Sequence, residues 1–302
     1  MDERISNLDQ VASLRRYRMT AGREEGLEVI DCDNGKIRFL LNVSKACDIM
    51  QLYYQGQNMT FVSKNGFIRR ELPFAKRFEG GMLYTCGLDS AGEREGFEEH
   101  GSFHNTPAEI LRAECNDKEI VVEAVIRDTE VCGKNLVFRR KILSKLGSDS
   151  VVVEDCLTNE GYRSENYCLL YHVNIGYPML DDGARIQSDS EVCLPRTPWA
   201  EKNLDSAYEI SAPIPNWEET CYYLMPRNHE VSLVNEKIAK EFTVSYSGDT
   251  LPQFLAWKSL ASGDYAVGLE PTTTKLDDLF EYSTIEAGES IDFRIQLSIH
   301  EL

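Results

Sequence analysis

The C-terminal stretch IDFRIQLSI sets Ile291, Phe293, Ile295, Leu297 and Ile299 on alternate positions, with Asp292, Arg294, Gln296 and Ser298 between them. Successive strand side chains point to opposite faces, so this alternation predicts a strand with one buried and one wet face. KIRFLLNV, EIVVEAVI, NLVFRRKIL, SVVVEDCL, YCLLYHVNI, EVSLVN and EFTVSYS read as further strands. Turn chemistry separates many of them: DNGK before Ile37, CGKN before Leu136, LGSD before Ser150 and SGDT from Ser247. Strands at this spacing predict an all-β chain, a large antiparallel β-sandwich with few short helices. The helix candidates are SNLDQVASLRRY, capped by Ser6/Asn7, and TKLDDLFEY, capped by Thr274. No repeat, low-complexity tract or linker divides the chain, so one domain over 1–302 is expected, with residues 1–20 as a helical extension.

Charge narrows the partners. With 32 Lys+Arg against 50 Asp+Glu the formal net charge is −18. Such a surface repels phosphate backbones and anionic lipid, which argues against nucleic acid or a membrane as partner. The start, MDERISNLDQVASLRRYRM, has no apolar run of the secretory kind, and nothing later has the length of a membrane span. The nine cysteines include no C-x-x-C pair, as expected of reduced thiols. A cytoplasmic protein is the expectation, either monomer or homodimer.

Chemistry must come from few residues. There are five histidines, His100, His104, His172, His229 and His300. His100 and His104 stand four apart in EEHGSFHNTPAEI, but Gly101, Asn105 and Pro107 oppose the helix that would put them on one face. No third ligand follows at a useful spacing, so no metal is expected. His172 lies in LLYHVNIGYPML among aliphatic and aromatic residues, where a lone histidine is more often a hydrogen-bonded core residue than a proton donor on a rigid strand. Glu270, in DYAVGLEPTT, precedes Pro271, which is expected to end the strand there. Partial burial beside Val267 and Leu269 would raise its pKa towards that of a general base.

Three phrases in order extend this reading: GGMLYTCGLD…EEHGSFHNTPAE, LLYHVNIGYPMLDDGARI and LPQFLAWKSLASGDYAVGLEPTT. Together they resemble the aldose 1-epimerase (galactose mutarotase)-like superfamily, in a bacterial branch with poorly defined substrates. The resemblance implies a galactose mutarotase-like supersandwich and a cofactor-independent isomerase acting on a small-molecule sugar. It implies that His172 is general acid to the ring oxygen, that Glu270 is general base on the anomeric hydroxyl across the sugar ring, and that His100 binds near the ring oxygen. Asn174, two on from His172, shares its face and could bind a hydroxyl. Trp257 would stack on the sugar or pack in the core, with Gln253 and Lys258 beside it as hydroxyl donors. Arg77 would correspond to an arginine that some mutarotases use. Lys45 and Ala46 stand where this branch often has Arg-Gly before Asp48, and no counterpart of the mutarotases' substrate-binding aspartate is found. A non-catalytic carbohydrate-binding or regulatory protein on the same fold is the alternative. Glycoside hydrolysis is disfavoured because Glu270 has no evident second carboxylate.

Overall fold

The alternating segments form strands and pair antiparallel in a computed structural model that describes residues 3–302. Ser13–Arg18, Glu28–Asp33, Ile37–Asn42, Asp48–Tyr54 and Gln57–Asn58 make a five-stranded meander in chain order. An eight-stranded sheet follows the order Arg185–Gln187, Glu230–Asn235, Lys240–Tyr246, Ser290–Glu301, Ser150–Asn159, Asn135–Lys145, Glu119–Thr129, Glu109–Cys115. The third sheet runs Cys193–Pro195, Thr220–Leu224, Gln253–Ala261, Asp264–Thr272, Glu165–Ile175, Ser283–Ile285, and Tyr84–Leu88 also pairs with Glu165–Ile175.

The C-terminal strand shows how period two builds the core. Phe293, Ile295, Leu297 and Ile299 are buried while Asp292 and Arg294 face solvent. Each such side chain contributes about 1.5–3 kcal/mol on leaving water. They join residues of all three sheets, among them Phe39, Phe138, Val173 and Phe254, in one continuous apolar cluster. The architecture is thus the expected antiparallel β-sandwich. No helix among the described residues is long and apolar enough to cross a membrane.

Both predicted helices shrink to single turns. At the N-terminus Asn7 caps a three-residue 3-10 turn, Leu8–Gln10, and Ser13–Arg18 then pairs with Glu28–Asp33. Tertiary pairing overrides the local helical pattern there. In TKLDDLFEY only Asp277–Leu279 is helical, and Thr274 instead donates to the Lys275 carbonyl and accepts from the Glu281 amide. Nor does Pro271 end its strand, which continues to Thr272. The ladder to the His172 strand pairs Val173 with Leu269 and Leu170 with Thr272, and is interrupted between them, where Pro271 has no N–H to donate.

Candidate active site

That interruption is where the two leading candidates meet. The flanking pairs put His172 opposite Glu270 on one face of the third sheet. His172 Nε2 lies 3.2 Å from Glu270 Oε1, both side chains about 5% exposed or less. The approach is off the hydrogen-bonding direction and leaves Glu270 Oε1 without a hydrogen bond; the other ring nitrogen, His172 Nδ1, has none either. Side by side in contact, they do not stand across a sugar ring from one another as the resemblance implied.

Their charge state follows from burial. Burial pushes the Glu270 carboxyl well above the usual carboxylate range, with Arg196 opposing and Glu219 adding. Burial, reinforced by His100, holds His172 well below the usual imidazole range, although the Asn174 side chain opposes the shift. Both shifts favour the uncharged forms, a protonated carboxyl and a neutral imidazole, over an ion pair.

Gly268 makes room for this arrangement. A Cβ there would lie 2.1 Å from Glu270 Oε1 and 3.1 Å from His172 Cε1, so the carboxylate occupies the space a side chain would take. Its neighbour across the ladder is Trp257. The indole meets the His172 ring edge-on, with centroids 5.4 Å apart, and donates from Nε1 to Glu219 Oε2 at 2.8 Å.

His100 completes the polar centre from a loop. Its backbone lies in the left-handed region, φ 62°, an uncommon position for a residue with a side chain. The Gly92 amide donates to His100 Nδ1 at 3.3 Å while His100 N–H donates to the Gly92 carbonyl, an arrangement that leaves the ring proton on Nε2. Its ring is 5.5 Å from that of His172, edge to face. Burial, helped by Arg196, pushes its pKa down to about 4, so it is a neutral donor at physiological pH. Phe74 and Phe78, on the short helix Phe74–Arg77 and just after it, pack on His100 (5.1 Å) and His172 (5.8 Å) respectively.

A cavity of about 550 Å³ opens beside this cluster, bordered by Phe74, Phe78, Trp257, Glu99 and Glu219. Burial, then Glu93 and Glu219, raise the Glu99 carboxyl. A cavity of similar size, about 560 Å³, lies on the solvent face of the eight-stranded sheet among residues such as Lys141 and Glu154, which pair with each other at 3.5 Å. Neither cavity is lined by His172, Glu270 or His100 themselves, but the first is bordered by Phe78 and Trp257, whose rings pack against His172, and the second has no such link.

The remaining candidates fall in different places. Asn174 is fully buried beside His172 and donates to the Gly81 and His172 carbonyls at 3.0 and 3.1 Å; only its carboxamide oxygen is free of hydrogen bonds. Arg77 is buried next to Tyr84, which pairs with His172, and forms an ion pair with Glu98. Gln253 shares the face of Trp257 but pairs with Thr272, one row beyond the dyad on the side away from Trp257. Lys258 does not join the site. It follows Trp257 in the strand and so points to the opposite face, where its ammonium donates to the Ser206 and Glu209 carbonyls at 2.7 and 3.0 Å. Glu219, Glu99, Phe74, Phe78, Arg196 and Gly268 were not anticipated. The glutamate before His100 in EEHG was the one visible hint; the others assemble through register and loop contacts distant in sequence.

Comparison with known proteins fits this architecture. No curated protein matches the chain. A candidate aldose 1-epimerase from Klebsiella pneumoniae subsp. pneumoniae superposes with a TM-score of 0.86 at 20% identity, over 98% of this chain and 87% of that one. A galactose mutarotase-like protein from Clostridium acetobutylicum gives 0.68 at 12% identity, over 97% and 100% of the two chains. A candidate mutarotase (YeaD) from Salmonella typhimurium gives 0.68 at 10% identity, over 99% and 96%. The shared feature is the galactose mutarotase-like β-sandwich. Residues 24–299 match one family model across almost the whole chain, and the protein belongs to the family described as Domain of unknown function (DUF4432).

Proposed function

We propose that this protein is a cofactor-independent mutarotase that interconverts the α and β anomers of a free sugar. The observation that carries the reading is the His172–Glu270 contact: two buried groups 3.2 Å apart, with His172 packed against the Phe78 and Trp257 rings that border the cavity. The ring oxygen and the anomeric hydroxyl of a pyranose are bonded to the same carbon. An acid and a base serving both therefore belong side by side, as this pair is.

Opening needs one proton delivered to the ring oxygen and one removed from the anomeric hydroxyl. Because burial favours the protonated carboxyl and the neutral imidazole, Glu270 delivers its proton as the C–O ring bond breaks, and His172 accepts the hydroxyl proton as the aldehyde forms. This inverts the opening roles that the resemblance assigns. The aldehyde carbon rotates about its bond to the neighbouring carbon, and closure on the other face reverses both transfers. The dyad ends as it began. Each positioned transfer contributes about 10²–10⁴-fold. His100 Nε2–H supplies a fixed donor near the ring oxygen, and Trp257 and Phe78 flank the apolar side of the sugar.

The lining favours sugars without phosphate or carboxylate groups. Glu99 and Glu219 border the cavity, while Lys64, Arg196 and Arg77 are paired with carboxylates: Lys64 with Asp264 at 2.6 Å, Arg196 with Asp277 at 2.6 and 2.8 Å, and Arg77 with Glu98. Exchange NMR over a panel of free sugars is the direct test. Glu270→Gln and His172→Ala are each expected to slow anomer exchange by about 10²–10⁴-fold without unfolding the chain. Wild-type exchange in both variants would overturn the reading.

A further inference from the structure

We propose that a buried ion cluster behind the His172 strand sets the spacing of the dyad, which makes Tyr171 and Thr85 positioning residues; this rests on the reading of His172 and Glu270 as the reacting pair. Lys45, Asp48, Glu79, His104, Arg140 and Asp155 are each at most 4% exposed and form one connected group. Arg140 is its hub. Its fork donates from Nε and Nη2 to Asp155 at 2.9 and 2.8 Å, and from Nη1 to Asp48 and the Ala46 carbonyl. Asp48 also meets His104 Nδ1 at 2.6 Å; His104 Nε2 faces Glu79 at 3.4 Å, and Glu79 accepts from Lys45 at 2.5 Å.

The cluster reaches the site through two residues on the reverse face of the strands that hold it. Tyr171, immediately before His172, donates its hydroxyl to Asp155 at 2.6 Å. Thr85 immediately follows Tyr84, the residue that pairs with His172. Its amide and hydroxyl both donate to Asp48, at 2.8 and 2.5 Å, and its hydroxyl accepts from Arg140 at 3.0 Å. Because neighbouring strand residues face opposite ways, fixing Tyr171 and Thr85 from behind fixes where His172 and Tyr84 stand in front. His104 adds a direct contact, stacking on the Tyr84 ring at 3.7 Å.

Stability alone does not account for so much buried charge. Taking each ion out of water costs several kcal/mol, and apolar residues of equal volume commonly serve as well or better. What a bidentate arginine fork supplies and an apolar core does not is direction. Arg140 and Asp155 belong to the eight-stranded sheet, Asp48 to the five-stranded one, and Tyr171 and Thr85 to the third. The cluster ties all three sheets together at the point behind His172, where the ladder to the Glu270 strand is broken and backbone hydrogen bonds do not set the spacing.

The test uses Tyr171→Phe and Thr85→Val, each of which keeps the side chain's volume and removes its hydroxyl hydrogen bonds. It reads ring signals in the ¹⁵N-histidine-labelled full chain, anomer exchange, and thermal unfolding. The expected result is a displaced or doubled His172 ring signal in both variants, with those of His229 and His300 unmoved. Exchange should fall about tenfold in kcat with KM unchanged, as for a small misplacement of reacting groups. Thr85→Ser, which keeps the hydroxyl, should restore both. A lowered Tm with the His172 signals and kcat unchanged would overturn the inference. If the wild type accelerates no sugar's exchange, the mutarotase reading fails alone, and the His172 ring signals still decide whether the cluster positions that residue.

Discussion

Replacing Gly268 by alanine is the sharpest probe of the dyad, since it adds one methyl group and alters no ionisable residue. The Gly268 backbone is not in the left-handed region, so alanine meets no conformational penalty there. Its Cβ would stand 2.1 Å from Glu270 Oε1, where an ordinary contact begins at 3.4 Å, so the carboxyl must retreat by about 1.3 Å. His172 Cε1, at 3.1 Å, has to yield by a few tenths of an ångström. A misplacement of about 1 Å can cost 10²-fold in rate, so exchange is expected to fall by at least that factor. Overpacking of this kind costs about 1–3 kcal/mol, and replacing glycine returns about 0.4–1 kcal/mol through the unfolded chain. The fold should therefore survive with a lowered Tm. Two-dimensional exchange NMR at saturating sugar, with thermal unfolding alongside, separates the two effects. A folded Gly268→Ala protein that exchanges anomers at the wild-type rate would refute the argument that the carboxyl must sit over Gly268 to work.

Other consequences can be checked independently. Glu270 has a raised folded-state pKa, so its contribution to stability is full below the ordinary carboxylate pKa and is lost as pH rises towards the folded value. Glu270→Gln should therefore raise Tm at pH 7 relative to wild type and change it little at pH 4; equal shifts at both would contradict a buried, protonated carboxyl. His172 titrates the other way: its depressed pKa stabilises the fold above the ordinary imidazole range and that contribution fades as pH falls below it, so His172→Gln should narrow the loss of Tm between pH 7 and 5. Trp257→Ala should weaken sugar binding by about tenfold in ligand titrations, the scale of one aromatic contact; unaltered affinity would remove Trp257 from the site. Lys258→Met should leave exchange unaltered and cost about 1–3 kcal/mol, because the Ser206 and Glu209 carbonyls lose their donor; a large loss of exchange at full stability would return Lys258 to the site.

Period two made the sheets legible in the sequence, and it constrains the site as well. The pleat that puts Asn174 on the face of His172 equally forbids adjacent Trp257 and Lys258 from sharing one. The N-terminal segment departs from its local pattern for another reason. Its capping signal at Asn7 is genuine, but pairing with Glu28–Asp33 turns Ser13–Arg18 into a strand. His172 and His100 stood out as two of only five histidines, and Glu270 as a carboxylate placed before a proline, in phrases resembling a known superfamily. Glu219, Phe74 and Gly268 did not, because each matters only through a partner fixed by non-local register or packing. The Arg140–Asp155 fork is of the same kind: a charged pair within two predicted strands reads as a solvated face until the sheets are stacked.

The missing N–H at Pro271 has a mechanical consequence. A continuous ladder would clamp the two strands at every rung, and any change in the distance between His172 and Glu270 would strain several backbone hydrogen bonds at once. With the rungs absent there, the sheet has a local soft spot flanked by stiff pairs at Val173–Leu269 and Leu170–Thr272. At that point the spacing of the two side chains is therefore left to side-chain packing rather than to the sheet's own rungs.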